Sequence, residues 1–161
     1  MAGPTTLTPL DEREMAAWHA LIRSHARVVR RLEAELESER GLTLQGYEVL
    51  AHLSESPQRQ ARMSDLAALV VLSPSGLTRL IDKLAAEGLV ERTRCGSDAR
   101  VVHATLTDKG FERLKEAYPV HLRGVRQHLI DHLSPDQLRA IAEALGPLGL
   151  NVPAPDCPTE A

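Results

Sequence analysis

Apolar residues recur at helical spacing near both ends of the chain, which predicts long amphipathic helices there. With Trp18 as origin and about 100° per residue, seven other residues between 8 and 40 fall within about 60° of it: Met15, Leu21, Ile22, His25, Val29, Leu32 and Leu36. A second such pattern runs from Asp108 to about Leu133, where Pro119 predicts a kink or a break. A helix with one apolar stripe needs a partner surface to cover it.

Capping residues mark the ends of these and the neighbouring helices. Each predicted start has a Ser or Thr whose side chain can accept from a free backbone N–H group, and proline or acidic residues follow two of these starts. The last start, Ser134 with Gln137, has the spacing of a capping box. The predicted helices run from Thr8 to about Ser38 before Gly41, from Thr43 to Ser56–Pro57, and from Ser134 to Leu145–Gly146.

The centre of the chain has the pattern of a helix–turn–helix. Ser64 and Ser73 each precede a short helical pattern, where the hydroxyl can cap free backbone N–H groups. Pro74 then occupies a first helical position, and only a few residues around Leu72 separate the two helices. Gly88 suits the left-handed conformation that ends the second helix.

The second of these helices has one apolar and one polar arc. The arcs consist of Leu77, Leu80, Ile81 and Leu84, and of Ser75, Thr78, Arg79, Asp82 and Lys83. Hydroxyls and cations on an exposed helix are what the major groove of DNA accepts, and Arg79 can bind a guanine edge bidentately. Asp82, which phosphates repel, either accepts from a cytosine amino group or orients Arg79. The alternative is an ordinary amphipathic helix with a solvated polar face.

Two short strand patterns follow this helix directly. Leu89–Arg94 and Val101–Leu106 are rich in Val and Thr, turn residues join them, and a short edge strand is predicted near Arg62. A β-hairpin after a helix–turn–helix is a winged helix, whose tip here carries Arg94 and Arg100 toward the DNA backbone or minor groove. The predicted DNA-contacting residues are Ser64, Ser73, Pro74, Ser75, Thr78, Arg79, Lys83, Arg94, Ser97, Asp98 and Arg100.

These segments resemble the MarR family of bacterial transcriptional regulators. The matching segments occur in family order and at family spacing: Ser73–Arg79, Glu87–Arg92, Asp98–Arg100 and Leu106–Gly110. The layout of helices extends the resemblance over most of residues 10 to 147. The wing of that family commonly has two basic residues after the Asp, and Ala99 replaces one of them here. The resemblance implies a homodimer with interlocked N- and C-terminal helices that binds double-stranded DNA.

The resemblance also implies a pocket between the dimerisation helices and the winged domain, often occupied by phenolic or other aromatic anions. Members of the urate-responsive branch have a Trp in the first helix, and Trp18 is similar in position. An aromatic plane, with His19, Arg13 or Arg23 to bind a carboxylate, makes these four the candidate ligand-binding residues. The alternative is that Trp18 is the largest core residue of a dimer seam.

The chain is predicted to be a single mainly α domain, residues 1–161, with about six helices and a small three-stranded antiparallel wing sheet. Residues 8–40 and 108–147 would form the dimerisation helices, and residues 43–107 the winged lobe. Residues 149–161 contain three prolines and are predicted to be a flexible tail.

Composition and charge narrow the class of protein. Apolar residues make up 43% and aromatic residues 2%, so the core must consist mostly of Leu, Val, Ile and Ala, which favours helices. The net charge is −3, yet Lys and Arg outnumber Asp and Glu between Gln58 and Arg100, the segment predicted to touch DNA. Two cysteines, no signal peptide and no membrane-length apolar run lead us to expect a cytoplasmic protein.

Other site chemistries have less support. His128 and His132 have metal-ligand spacing and His121 shares their helix face, but no matching carboxylate or cysteine set is evident, so no metal site is expected. Cys95 at the wing either acts as a redox switch or simply flanks the turn. No catalytic motif is evident, so neither enzymatic activity nor a cofactor is expected.

The sequence therefore predicts a ligand-responsive repressor that binds a pseudo-palindromic operator as a homodimer. Two alternatives stay open. One is a winged-helix architectural or protein-interaction module, and the other is a regulator that senses metal or redox state.

Overall fold

The structure is a computed structural model that describes residues 8–70, 72–94 and 101–148. Six α-helices and three β-strands lie in these residues, which confirms the predicted mainly α winged-helix fold. In chain order they are α1 Glu12–Arg40, α2 Leu44–Glu55, β1 Gln60–Arg62, α3 Met63–Leu69, α4 Pro74–Ala86, β2 Val90–Arg94, β3 Val102–Leu106, α5 Asp108–His128 and α6 Pro135–Leu145. Single 3₁₀ turns lie at Pro57–Arg59, Ile130–His132 and Gly146–Leu148. The predicted tail, residues 149–161, lies outside the described residues.

The start of α1 differs from the prediction. Asp11, not Thr8, is the capping residue: its side chain accepts from the backbone N–H groups of Arg13 and Glu14, and the Glu14 carboxylate accepts from Asp11 N in return. A carboxylate at this end also interacts favourably with the helix dipole, which a threonine hydroxyl does not. The end is as predicted, because Gly41 adopts a left-handed conformation with φ of 60°.

Ser64 does not cap α3, contrary to the prediction. The helix begins one residue earlier, at Met63, and the residue before it, Arg62, makes no side-chain capping bond. The Ser64 hydroxyl donates instead to Oδ1 of Asp65 at 3.0 Å. By contrast, Ser73 caps α4 as predicted, with its hydroxyl accepting from Gly76 N at 3.1 Å.

The three strands form an antiparallel sheet in the order β1–β3–β2. Arg62 pairs with His103 on one side of the central strand, and Val90 pairs with Leu106 on the other. Val90, Ala104 and Leu106 are buried, and the sheet contacts α2 and α4. The wing therefore shares one apolar core with the helix–turn–helix.

Helix α5 is continuous through Pro119, so of the predicted kink or break the break does not occur. Proline lacks the N–H group that would bond to the fourth carbonyl before it, and the loss of one bond does not end a helix of 21 residues packed against its neighbours. The helix ends at His128 rather than near Leu133. Leu129 leaves the helical region with φ of −137°, and a 3₁₀ turn follows.

Helices α1 and α5 cross at a glycine. A Cβ atom at Gly124 would lie 2.6 Å from Leu32 Cδ2 and 2.8 Å from Glu35 Oε2. A side chain at this position would require the ends of the Leu32 and Glu35 side chains to move. The buried residues of α1, Leu32 and Leu36, lie in the half that faces this contact, whereas residues 12–27 are all exposed.

Candidate nucleic-acid interface

Helix α4 has its polar arc in solvent. Leu77 and Ile81 are buried on the opposite arc, while the side chains of Ser75, Arg79 and Lys83 are exposed. Neither cation of this helix makes an ion pair within the described residues. The predicted reading face is therefore accessible, and its guanidinium and ammonium groups are available for an acidic partner.

Hydroxyl groups at the start of α4 bond within the helix. Ser73 Oγ, which caps Gly76 N, lies 3.3 Å from Ser75 Oγ, and Thr78 Oγ1 donates to the carbonyl of Pro74 at 2.9 Å. These bonds fix the direction of each hydroxyl and leave acceptor lone pairs free. The first role of Ser73 is to cap the helix, and DNA contact by Ser73 and Pro74 stays a prediction.

Asp82 binds the wing instead of orienting Arg79, and its predicted contact with a cytosine amino group stays a prediction. Its Oδ1 accepts from Arg92 Nη1 at 2.6 Å, so the carboxylate does not orient Arg79. Arg92 was missing from the predicted site. Alternation along the strand could have predicted it, because Arg92 shares a face of β2 with buried Val90. That face is turned toward α4. The ion pair joins the reading helix to the wing.

The wing is described up to its tip. Arg94 lies at the end of β2 opposite Val102 of β3, so the strands that carry the wing pair as predicted. The residues predicted at the tip, and the candidate redox residue, lie outside the described ranges: Ser97, Asp98, Arg100 and Cys95.

The four candidate ligand residues lie on the exposed part of α1. Trp18 is 53% exposed, and five-residue separations place both Arg13 and Arg23 about 140° from it around the helix. Arg23 instead lines a shallow surface with Arg27 and other arginines of α1. Within one protomer, Trp18 and these arginines thus face different directions, and His19 lies between the Trp18 and Arg23 directions.

An apolar groove of about 580 Å³ lies between α1 and α6. Its lining comes from α1, the segment after α5, and α6, and includes Leu21, Val29, Leu129, Leu133, Ile141 and Leu145. None of the α6 residues is buried. His25, which belongs to the predicted apolar stripe of α1, is exposed at this groove because nothing in the described chain covers it.

The histidines that could have formed a metal site contact three different groups. His121 stacks on Tyr47 with ring centroids 4.2 Å apart, and burial lowers its pKa. His128 Nε2 lies 2.6 Å from Glu35 Oε1 on α1, and His132 bonds to a backbone carbonyl. Residues 8–70, 72–94 and 101–148 contain no group of three or more His, Cys, Asp or Glu that could hold a metal ion. They also contain no single helix that is long and apolar enough to cross a membrane.

A helix–turn–helix, a β-hairpin joined to it by an ion pair, and an exposed cationic reading face define a winged-helix DNA-binding protein. Comparison with known proteins gives the same class. The sequence model of the MarR family matches residues 40–101. AbsC, a MarR family transcriptional regulator from Streptomyces coelicolor, is 37% identical with a TM-score of 0.80, over 88% of this chain and 95% of AbsC.

Two further relatives belong to the same class of transcriptional regulators. Sco3205, a MarR family transcriptional regulator from Streptomyces coelicolor solved in complex with DNA, is 31% identical with a TM-score of 0.83, over 89% of this chain and 90% of Sco3205. The HTH-type transcriptional regulator MhqR of Bacillus subtilis (strain 168) is 29% identical over 65% of this chain and 68% of MhqR. The chain belongs to the MarR family of DNA-binding transcriptional regulators.

Proposed function

We propose that this protein is a ligand-responsive repressor that binds a pseudo-palindromic operator as a homodimer. The observation that carries the proposal is that Arg79 and Lys83 of α4 are exposed and make no ion pair within the described residues, beside a wing held to the helix by Asp82 and Arg92. The similarity to Sco3205, whose structure is solved in complex with DNA, supports the nucleic acid as the partner.

Sequence reading is assigned to α4. Arg79 has the length and the planar fork to bind the edge of a guanine, and Ser75 and Thr78 lie on the same arc to contact bases or phosphates. Lys83 lies one turn further along and is suited to the backbone as a point charge. The ion pair between Asp82 and Arg92 then holds the wing at a fixed angle to the reading helix.

Assembly is assigned to the terminal helices. Ile141 lines the groove between α1 and α6 and is 41% exposed, and Trp18 and Ile22 of α1 are 53% and 45% exposed. Apolar patches of this kind are costly in water and mark interaction surfaces. A second copy of the chain offers the same surface, so an isologous dimer covers both at once. Two reading helices then match inverted half-sites about 34 Å apart.

Repression and its release follow from this arrangement. A dimer that covers two half-sites occludes them from other DNA-binding proteins. An aromatic or phenolic anion that stacks on Trp18 would favour one spacing of the reading helices, and DNA would favour another. Linkage then requires that the anion and DNA change each other's affinity by the same factor.

The test of DNA binding is a selection from random duplexes followed by a salt titration. We expect a selected site with two inverted half-sites and a steep decrease of affinity with salt, because phosphate contacts release counterions. Selection of no sequence, or an affinity indifferent to salt, would support the architectural or protein-interaction alternative instead.

The test of ligand response uses Trp18, the only tryptophan. We expect an aromatic carboxylate to quench its fluorescence and to weaken binding to the selected duplex, and Trp18→Phe to keep DNA binding but weaken the response. An effector whose action is unchanged by substitutions at Trp18, His19, Arg13 and Arg23 would refute this site and leave the DNA-binding proposal intact.

A further inference from the structure

A cleft of about 340 Å³ lies between the helix–turn–helix and the base of the wing. Ser64 of α3 and Thr78 of α4 line it from one side, and Arg92 and Val102 of the wing strands line it from the other. Arg62, the last residue of β1, completes it. Two helices and all three strands of the sheet thus surround one opening next to the reading helix.

Arg62 has a side-chain donor that makes no hydrogen bond. Its Nε atom is inaccessible to solvent and makes no hydrogen bond, and its guanidinium forms no ion pair within the described residues. A buried donor of a charged group without an acceptor destabilises the folded state. Such a group is stabilised when an anion enters the cleft.

The charges at the cleft favour an anion. Arg92 is paired with Asp82, and Arg62 is the arginine of the cleft that makes no ion pair within the described residues. In the part of the chain that the structure describes, the residues that line the cleft include these two arginines and no carboxylate. The lining therefore contributes positive charge, which attracts a phosphate.

The position of the cleft identifies the anion. Helix α4 is assigned to the major groove, and the wing to the backbone or minor groove beside it. One sugar–phosphate strand separates a major groove from its neighbouring minor groove, so a cleft between the two elements lies over that strand. Resting on the proposed function, we infer that this cleft binds a phosphate of the DNA backbone and that Arg62 is its principal ligand.

Arg62 is a positioning contact in this assignment. It lies on a strand of the sheet and immediately precedes α3, so a phosphate held there fixes the depth and angle at which α4 enters the groove. It carries no base information itself. Removal of Arg62 must consequently lower the affinity for all DNA sequences alike, unlike removal of Arg79.

The experiment compares Arg62→Gln, Arg62→Lys and the control Arg139→Gln, which removes the same charge from the polar side of α6. Each dimer is titrated over a range of salt with the duplex selected by the wild-type protein and with an unrelated duplex of equal length. Arg62→Gln should lower the affinity for both duplexes about tenfold or more. It should also reduce the slope of log affinity against log salt concentration by about 0.9 per protomer. Arg62→Lys should regain part of the slope, and Arg139→Gln should match the wild type.

A second measurement locates the phosphate. Single phosphates of the selected duplex are replaced by neutral methylphosphonates. At one position per half-site, the replacement should lower the DNA affinity of the wild type and leave that of Arg62→Gln unchanged, because the variant has already lost this contact. Thermal unfolding without DNA should show Arg62→Gln at least as stable as the wild type, since a guanidinium whose solvent-inaccessible Nε has no acceptor is removed.

The outcomes separate the two proposals. If the wild type selects a duplex but Arg62→Gln keeps the wild-type affinity and salt slope, the phosphate assignment is wrong and the proposed function stands. A changed base preference in Arg62→Gln, or no methylphosphonate position that depends on Arg62, also overturns it. If the wild type selects no duplex, the proposed function fails and this inference fails with it.

Discussion

The winged lobe and the terminal helices differ in how completely they bury their apolar side chains. In the lobe, residues such as Leu50, Leu66 and Ile81 are fully buried within one chain. In the terminal helices, the N-terminal half of α1 and all of α6 have no buried residue. The two regions have similar apolar stripes, so the difference lies in what covers them.

This difference separates two tasks. A lobe that completes its own core holds Arg79 and the wing in fixed positions whether or not a partner is present. Terminal helices that leave their stripes open depend on a second chain, and they can therefore respond to events that alter the association. Four experiments test this difference between the two regions.

The largest effect is expected at the open surface. The double substitution Leu129→Asp with Leu133→Asp places two carboxylates in the groove, where a partner would strip them of water. We expect light scattering to show monomers or insoluble protein in place of dimers, with the circular dichroism of the winged lobe retained in any soluble fraction. An intact dimer would show that the dimer interface does not include the groove.

A matched pair of substitutions then compares the two regions directly. Ile81→Ala in the closed core should lower the free energy of unfolding by about 2–5 kcal/mol at any protein concentration. Ile141→Ala makes the same chemical change on α6, where the side chain is 41% exposed. Its effect should vary with protein concentration, because it weakens association rather than the core. Equal, concentration-independent losses in denaturant titrations would contradict the comparison.

The third experiment separates the surface of the lobe from its core. Arg79→Ala should leave the unfolding transition unchanged, because the side chain is exposed and makes no ion pair in the part of the chain that the structure describes. Binding should lose about 1–3 kcal/mol at one base position, with relaxed preference there. A repeated duplex selection measures this, and an unchanged preference would show that the reading face is assigned wrongly.

The smallest effect concerns pH and the contact between α2 and α5. Burial lowers the pKa of His121 below its ordinary value of 6.5, so the unfolded chain binds more protons than the folded one between those two pKa values. Stability should therefore fall as pH decreases from about 6.5 through the folded pKa. His121→Phe keeps a ring stacked on Tyr47 without the titration, and should show a weaker pH dependence of unfolding over that range. An identical dependence would assign the effect to other groups.

Much of the fold could be predicted because its signals are local. The caps at Thr43, Ser73 and Ser134 bond to backbone groups within three residues, and all three helices begin where those residues indicate. The polar arc of α4 was also predictable, since helix geometry alone decides which side chains share a face. The same locality explains the error at Thr8, where two nearby residues both had capping side chains and the carboxylate of Asp11 was the better acceptor.

The remaining features depend on groups far apart in the chain and close in space. The ion pair between Asp82 and Arg92 links a helix to a strand, and within the described residues no acceptor bonds to Arg62 Nε. The contact of His128 with Glu35 spans 93 positions. Helix α5 continues past Pro119 because packing against α1 and α2 outweighs one lost backbone bond. Local spacing determines which residues share a face, but only the packed chain determines what each face meets.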